Sequence, residues 1–205
     1  MFALVESGSI TKYLNGNRGI TLNDLQYPRA IYTLWTEAER NAIDIYAVEY
    51  DDSNKKDERW YINTNQSYAF ANNKVTASYG SATAKAHADT TWSQDDEDNG
   101  DLPDDKSVGD VKVEGLKTIL IRTVKAQAAG ELSKTDWYIT RKAEKNTAIP
   151  SAITTHRNLV RSRQAAMETA ITNASDTPAL ETLYTYTTDS DGVQSRPLAL
   201  IPTLD

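Results

Sequence analysis

The hydrophobic period changes once along this chain, and the change restricts the fold to two kinds of packing joined in series. Up to about residue 80, apolar and aromatic residues alternate with polar ones in short runs broken by turn residues, the pattern of half-buried strands. From Asp110 onward they recur every three to four residues, the pattern of helices with one buried stripe. Between the two lies DDEDNGDLPDD (95–105), a run too charged to contribute to a core, which marks a boundary.

Within the first part, Phe2 to Val5 and Ser9 to Leu14 alternate, Asn15-Gly16 has turn chemistry, and Arg18 to Leu22 resumes an extended pattern, so a hairpin opens the chain. Thr36 followed by Glu39 has capping-box spacing and predicts a short helix through about Ile43, with Ala38, Ala42 and Ile43 on one face. Ile45–Tyr50 and Arg59–Thr64 read as strands joined by DDSNKKD, and Gln66–Phe70 and Lys74–Tyr79 as a hairpin around Asn72-Asn73, where asparagine tolerates positive φ. The expectation over residues 1–92 is a small β-rich meander with one short helix, followed by an acidic linker over 93–108.

In the second part, Val113, Leu116, Leu120, Val124 and Gln127 or Ala128 form one stripe that ends near Gly130. Pro150 can open a second helix, on which Ile153, Val160, Met167 and Ala174 recur at sevenfold spacing beside Arg157, Gln164 and Ile171. These stripes predict a helical hairpin over 109–184, with Trp137 packed across its two helices and Arg157 and Arg161, one turn apart, able to pair with Asp136 or Glu144. Residues 185–205, ending in RPLALIPTLD, are apolar without helical length and read as an extended arm laid along another surface. The fold class expected is therefore α+β.

Charge is unevenly distributed. Residues 1–105 carry 9 basic and 18 acidic groups, residues 106–163 carry 12 and 5, and residues 164–205 carry 1 and 6. A basic segment inside an acidic chain favours docking onto acidic portions of the same chain or of a neighbouring subunit. A nucleic-acid groove is disfavoured, because the basic residues are spread over helices without interleaved aromatics. No run of eighteen apolar residues occurs, and MFALVESGSITKY lacks the features of a signal peptide, so the expectation is a soluble protein made in the cytoplasm and away from membranes.

Sequence signals for catalysis are weak. Cysteine is absent, which excludes disulfides, thiolate metal sites and cysteine nucleophiles. The motifs GxSxG, GxxxxGK[ST], GxGxxG and HExxH do not occur. Placing Gly100 at the sixth position of a calcium loop puts Asp95, Glu97 and Asn99 at oxygen-donor positions but Lys106 where a bidentate glutamate is needed. His87 and His156, the two histidines, would serve acid–base or metal chemistry only if the fold brought them together. The expectation is no enzyme, cofactor or metal. Eight of the eleven tyrosines and Trp35, Trp60 and Trp92 lie within the first 92 residues, and they suit either a thin core with subunit contacts or an exposed face for glycans.

The string TDWYITRKAEKNTAIP, followed by HRNLVRSR, resembles the C-terminal module of bacteriophage tail-fibre assembly and tail assembly chaperone-like proteins. The residues that carry the resemblance are Asp136-Trp137, Arg141-Lys142, Ile149-Pro150, and Arg157 with Arg161. The stretch QYPRAIYTLWTEAERNAI, Gln26 to Ile43, resembles proteins of marine phages. About thirty residues follow Asn173, whereas the chaperone-like module is often a short C-terminal end. What the resemblance implies is a virion structural protein of the tail or tail-fibre region, acting through contacts with other phage proteins and with copies of itself. A transient assembly chaperone and a glycan-binding attachment module are the alternatives. Trp137, Arg141, Lys142, Arg157, Arg161, Trp35 and Tyr32 are the candidate partner-binding residues.

Overall fold

In the computed structural model, which describes residues 1–204, the chain opens with an antiparallel pair, β1 (Phe2–Glu6) and β2 (Ser9–Leu14). Ser7 and Gly8 make the reversal, with φ of 52° and 78°, the geometry of a tight two-residue hairpin. The turn expected at Asn15-Gly16 is a longer connection instead. It leads into a second, unexpected hairpin of β3 (Ile20–Leu22) and β4 (Leu25–Tyr27), turned by Asn23 and Asp24 at φ 48° and 63°.

Two short helices follow, α1 (Ile31–Leu34) and α2 (Glu37–Asn41). The capping box of α2 forms as its spacing predicts: Thr36 Oγ1 accepts from the Glu39 amide at 3.3 Å, and Glu39 Oε2 accepts from the Thr36 amide at 2.7 Å. The helix ends at Asn41, short of Ile43, because Asp44 at φ 60° turns the chain into β5 (Ile45–Asp51). The remaining strands of this region are β6 (Tyr61–Ile62), β7 (Ser67–Ala71), β8 (Lys74–Ser78) and β9 (Thr83–Ala84). Asn72 and Asn73, at φ 50° and 59°, turn β7 into β8 as expected.

Strand order corrects the meander. The main sheet runs β2-β1-β5-β8-β7, with β5 and β8 parallel and Val48 opposite Val75. Burial explains the order. Val75 and Ala77 on β8 are both fully buried, whereas β7 alternates exposed and half-buried positions, so the more apolar strand lies inside and β7 takes the edge. β1 is covered on both faces. Leu4 joins Leu14, Ile20, Ile31, Tyr32 and Ile45 on one side, while Ala3 and Val5 join Val48, Val75 and Ala77 on the other.

The chain divides into two compact units at Thr83/Ala84 rather than at residue 92, and the acidic stretch belongs to the second unit. There β10 (Thr90–Thr91) pairs with β11 (Val111–Val113), closing residues 92–110 into an ordered lobe. The lobe contains α3 (Gln94–Asp98), whose capping box is made by Ser93 and Asp96. Asp110 to Val113 are therefore turn and strand rather than helix, and the stripe begins at Leu116.

Helix α4 (Leu116–Ser133) runs past Gly130 and buries Leu116, Val124, Ala128 and Glu131. It is followed by α5 (Asp136–Lys145), α6 (Ser151–Asn173) and α7 (Thr177–Tyr184), so the expected hairpin is a pair of long helices, α4 and α6, with two shorter helices appended. Ile153, Arg157, Val160, Met167, Ile171 and Ala174 are buried along α6, as the sevenfold spacing predicts. Asp176 caps α7 by accepting from the Ala179 amide at 2.8 Å. A small hairpin of β12 (Thr187–Thr188) and β13 (Gln194–Ser195) precedes the final arm.

That arm lies on its own unit. Leu198 is fully buried, and its amide donates to the Leu183 carbonyl at 2.9 Å. The molecule is α+β, with a β-rich N-terminal unit and a mainly helical C-terminal one. Among the described residues no helix is long and apolar enough to cross a membrane.

Candidate interaction surface

Helix α5 is placed by the corner that precedes it. Arg157 of α6, itself buried, directs Nη1 at the Leu132 carbonyl (2.7 Å), Thr135 Oγ1 (2.7 Å) and Asp136 Oδ1 (2.8 Å). One nitrogen thus holds the end of α4, the linking turn and the first residue of α5. Nη1 has two hydrogens for these three acceptors, and the Arg157 Nε is buried without a partner, so the corner is clamped at the expense of incomplete guanidinium hydrogen bonding.

Beside this clamp, Glu131 is almost fully buried although it is charged. Its carboxylate accepts from Lys134 Nζ on its own helix, faces His156 Nε2 of α6 at 3.1 Å, and accepts from the Leu204 amide of the terminal arm at 2.7 Å. The Lys134 ammonium and then the Leu204 amide hold the carboxyl below the usual range, and the His156 bond adds to them. Because an ionised carboxylate only accepts, the bond to His156 needs the proton on Nε2. Three segments meet on one carboxylate.

Helix α5 itself buries no residue. Asp136 in its first turn and Lys142 and Lys145 in its last complement the helix dipole, and Asn146 in the left-handed region (φ 49°) ends it. Trp137, half exposed, stacks on Tyr138 with ring centroids 3.8 Å apart. Arg141 lies over both rings, 4.7 Å from the tryptophan centroid and 5.4 Å from the tyrosine; its Nε is buried, and among the described residues it makes no hydrogen bond or ion pair. Ile139 is also exposed. An aromatic pair capped by a cation, on a helix held at its base, is suited to contact with a protein surface, where tryptophan, tyrosine and arginine supply most binding energy.

The seven candidate residues divide accordingly. Trp137, Arg141 and Lys142 lie together on α5, Trp137 and Lys142 exposed and Arg141 partly buried with its Nε closed to water, and Trp137 does not pack across α4 and α6 as expected. Arg157 is behind them as a positioning residue. Asp136 pairs with Arg157, and among the described residues neither Arg161 nor Glu144 makes an ion pair. Tyr32 and Trp35 are in the core of the N-terminal unit. Tyr32 packs 4.9 Å from Phe2, and its hydroxyl is pushed upward in pKa by burial. Trp35 meets Tyr27 edge-on at 5.9 Å, and its carbonyl accepts from Arg40.

Of the tryptophans in the first 92 residues, Trp60 is 3% exposed, Trp35 is partly buried and Trp92, also partly buried, lies under Lys112. The aromatic face of the first unit is built instead from Tyr13, Tyr46, Tyr68 and Phe70, in pairs 4.8 Å apart. A recess of that unit, about 570 Å³, is lined by residues that include Tyr13, Arg18, Ile20 and Tyr32, and no carboxylate or histidine is among them.

The histidines are not brought together. The His87 carbonyl accepts from the Lys117 amide at the start of α4, whereas His156 meets Glu131 near its end. At 1.5 Å per residue, the two attachment points on α4 are about 20 Å apart. Among the described residues no cluster of three or more histidine or acidic side chains has the geometry of a metal site.

Glu131, Lys134, Thr135, His156 and the Leu204 amide were not visible as a site in the sequence. One signal was present. Glu131 continues the buried stripe of Leu116, Val124 and Ala128, and a carboxylate on an apolar stripe requires partners. Comparison with known protein families, characterised proteins and solved structures finds no match.

Proposed function

We propose that this chain is a non-enzymatic connector in the tail or tail-fibre region of a bacterial virus, made in the host cytoplasm and retained in the particle. The observation that carries the reading is α5: no residue fully buried, a half-exposed Trp137 stacked with the partly buried Tyr138 and Arg141, and a base held by Arg157. An amphipathic helix kept rigid and left uncovered is pre-organised for a partner, because little conformational freedom remains to be lost on docking. The resemblance of 135–150 and 156–163 to tail-fibre assembly modules supports the viral setting. Residues 174–204, anchored at Leu198 and Leu204, favour a lasting component over a transient chaperone.

Quantitative mass spectrometry of purified particles tests the proposal. Stoichiometric recovery of the chain is expected. Its absence from mature particles, with presence in infected cells, would replace the connector by an assembly chaperone using the same surface. Substituting Trp137 by alanine should weaken partner binding by about 2 kcal/mol, roughly thirtyfold, while leaving the fold intact.

A further inference from the structure

We infer that the cationic surface of α5 receives the acidic lobe around α3 of a second copy of this chain, giving head-to-tail self-association. The inference rests on the reading of α5 as a contact surface and names its occupant.

Two complementary charge clusters are held in fixed positions within the helical unit. On α5, Arg141, Lys142 and Lys145 make no ion pair among the described residues and outnumber the one unpaired carboxylate there, Glu144. In the lobe, Asp95, Glu97, Asp98, Asp101 and Asp104 have no cationic partner among the described residues. The lobe's structural charges are used elsewhere. Asp96 caps α3 through Ser93 and pairs with Lys112 at 2.5 Å, which brings its carboxyl down to about 2.

The lobe is ordered although its like charges repel one another. The Trp92 amide donates to the Asp110 carbonyl at 2.9 Å, the Gly109 amide donates to the Trp92 carbonyl at 2.8 Å, and Lys112 lies over the Trp92 ring at 4.3 Å. A solvated linker has no need of these closures. Holding five uncompensated carboxylates on a fixed frame is unfavourable in an isolated chain, and a cationic surface relieves it.

These clusters cannot neutralise each other within one copy. The lobe is fastened to the start of α4, where Asp89 accepts from the Gly115 amide at 2.6 Å and from Thr118 Oγ1 at 2.8 Å. Helix α5 begins beyond the other end of α4. The 18 residues of α4 separate the two by about 27 Å, more than twice the screening length at physiological salt. A contact between two different patches leaves each copy with one free donor and one free acceptor surface, so it propagates into a ring or a filament.

Sedimentation velocity on the full chain in about 50 mM and about 500 mM NaCl tests the inference. Association at low salt and its loss at high salt are expected. Two charge reversals sharpen the test: Arg141→Glu with Lys142→Glu and Lys145→Glu, and separately Asp95→Lys with Asp98→Lys and Asp101→Lys. Each variant alone should associate at least tenfold more weakly, and an equimolar mixture should recover association, since every contact then pairs opposite signs.

A wild-type chain that stays monomeric at low salt, association that survives both reversals, or a mixture that stays dissociated would overturn it. Circular dichroism checks folding, and Lys142→Gln with Lys145→Gln, which introduces no repulsion, should weaken association in the same direction. A monomeric chain recovered stoichiometrically in particles would refute self-docking while leaving the connector proposal intact.

Discussion

Replacing Arg157 with methionine keeps most of the apolar stem and removes every donor. The two hydrogens on Nη1 serve the Leu132 carbonyl, Thr135 Oγ1 and Asp136 Oδ1 at 2.7–2.8 Å. Losses differ by acceptor. Asp136 is 60% exposed and regains water, so its share is small, below about 1 kcal/mol. The Leu132 carbonyl keeps a donor in Thr135 Oγ1 at 3.0 Å. Thr135, 1% exposed, loses its only charged donor in a site closed to water. A lost bond to a charged group of about 1.5–3 kcal/mol, with the smaller terms added and relief of the unpaired buried Nε subtracted, leaves about 2–3 kcal/mol. For a unit of this size the melting temperature should fall by about 6–12 °C.

Differential scanning calorimetry on the full chain reads the effect, and Asp136→Asn is the control that should move it by less than about 1 kcal/mol. Combined with Thr135→Val, the Arg157→Met change should be markedly less harmful than alone, because the acceptor it would orphan is gone. A loss within about 0.5 kcal/mol of zero for Arg157→Met would refute the clamp as the device that fixes α5.

The other predictions concern separate parts of the molecule. Thr36→Ala removes the α2 capping box and should cost about 1 kcal/mol, read from chemical denaturation of the N-terminal unit. A Cβ at Gly115 would sit 2.3 Å from the Ala88 carbonyl carbon and oxygen, so Gly115→Ala should destabilise the helical unit, whereas Gly130→Ala, in open space on α4, should stabilise it by about 0.5–1 kcal/mol. Because the Glu131 carboxyl is depressed in the folded chain, its contribution is present above the ordinary carboxylate range and is lost as pH falls through its folded value; melting temperature against pH should drop more steeply on the acid side for wild type than for Glu131→Gln.

Local signals in the sequence identified the elements whose causes are local. The Thr36–Glu39 capping box, the Asn72-Asn73 turn and the sevenfold stripe of α6 each depend on residues within a turn or two of one another, and each formed. Strand order did not follow, because parallel pairing of β5 with β8 is decided by which strand buries more apolar surface, a property of the assembled sheet. The acidic lobe was misread as a linker for a similar reason. Its charge is real, but the Trp92–Asp110 closure and the β10–β11 pairing that order it span many residues. At the proposed contact surface, Trp137, Arg141 and Lys142 were visible as a cluster, while the Glu131 and Arg157 arrangement beside them joins segments up to 73 positions apart. Tyr32 lies in the core and Trp35 packs, partly buried, against it, because a small sheet needs aromatic rings to fill its core.

Lysine cross-linking of intact particles followed by mass spectrometry tests the central claim most directly. Lys142 and Lys145 should form cross-links to other polypeptides, or to a second copy of this chain, at higher yield than lysines of the N-terminal unit. Particles that lack the chain, or in which both lysines react only with reagent and never with a neighbour, would contradict the account.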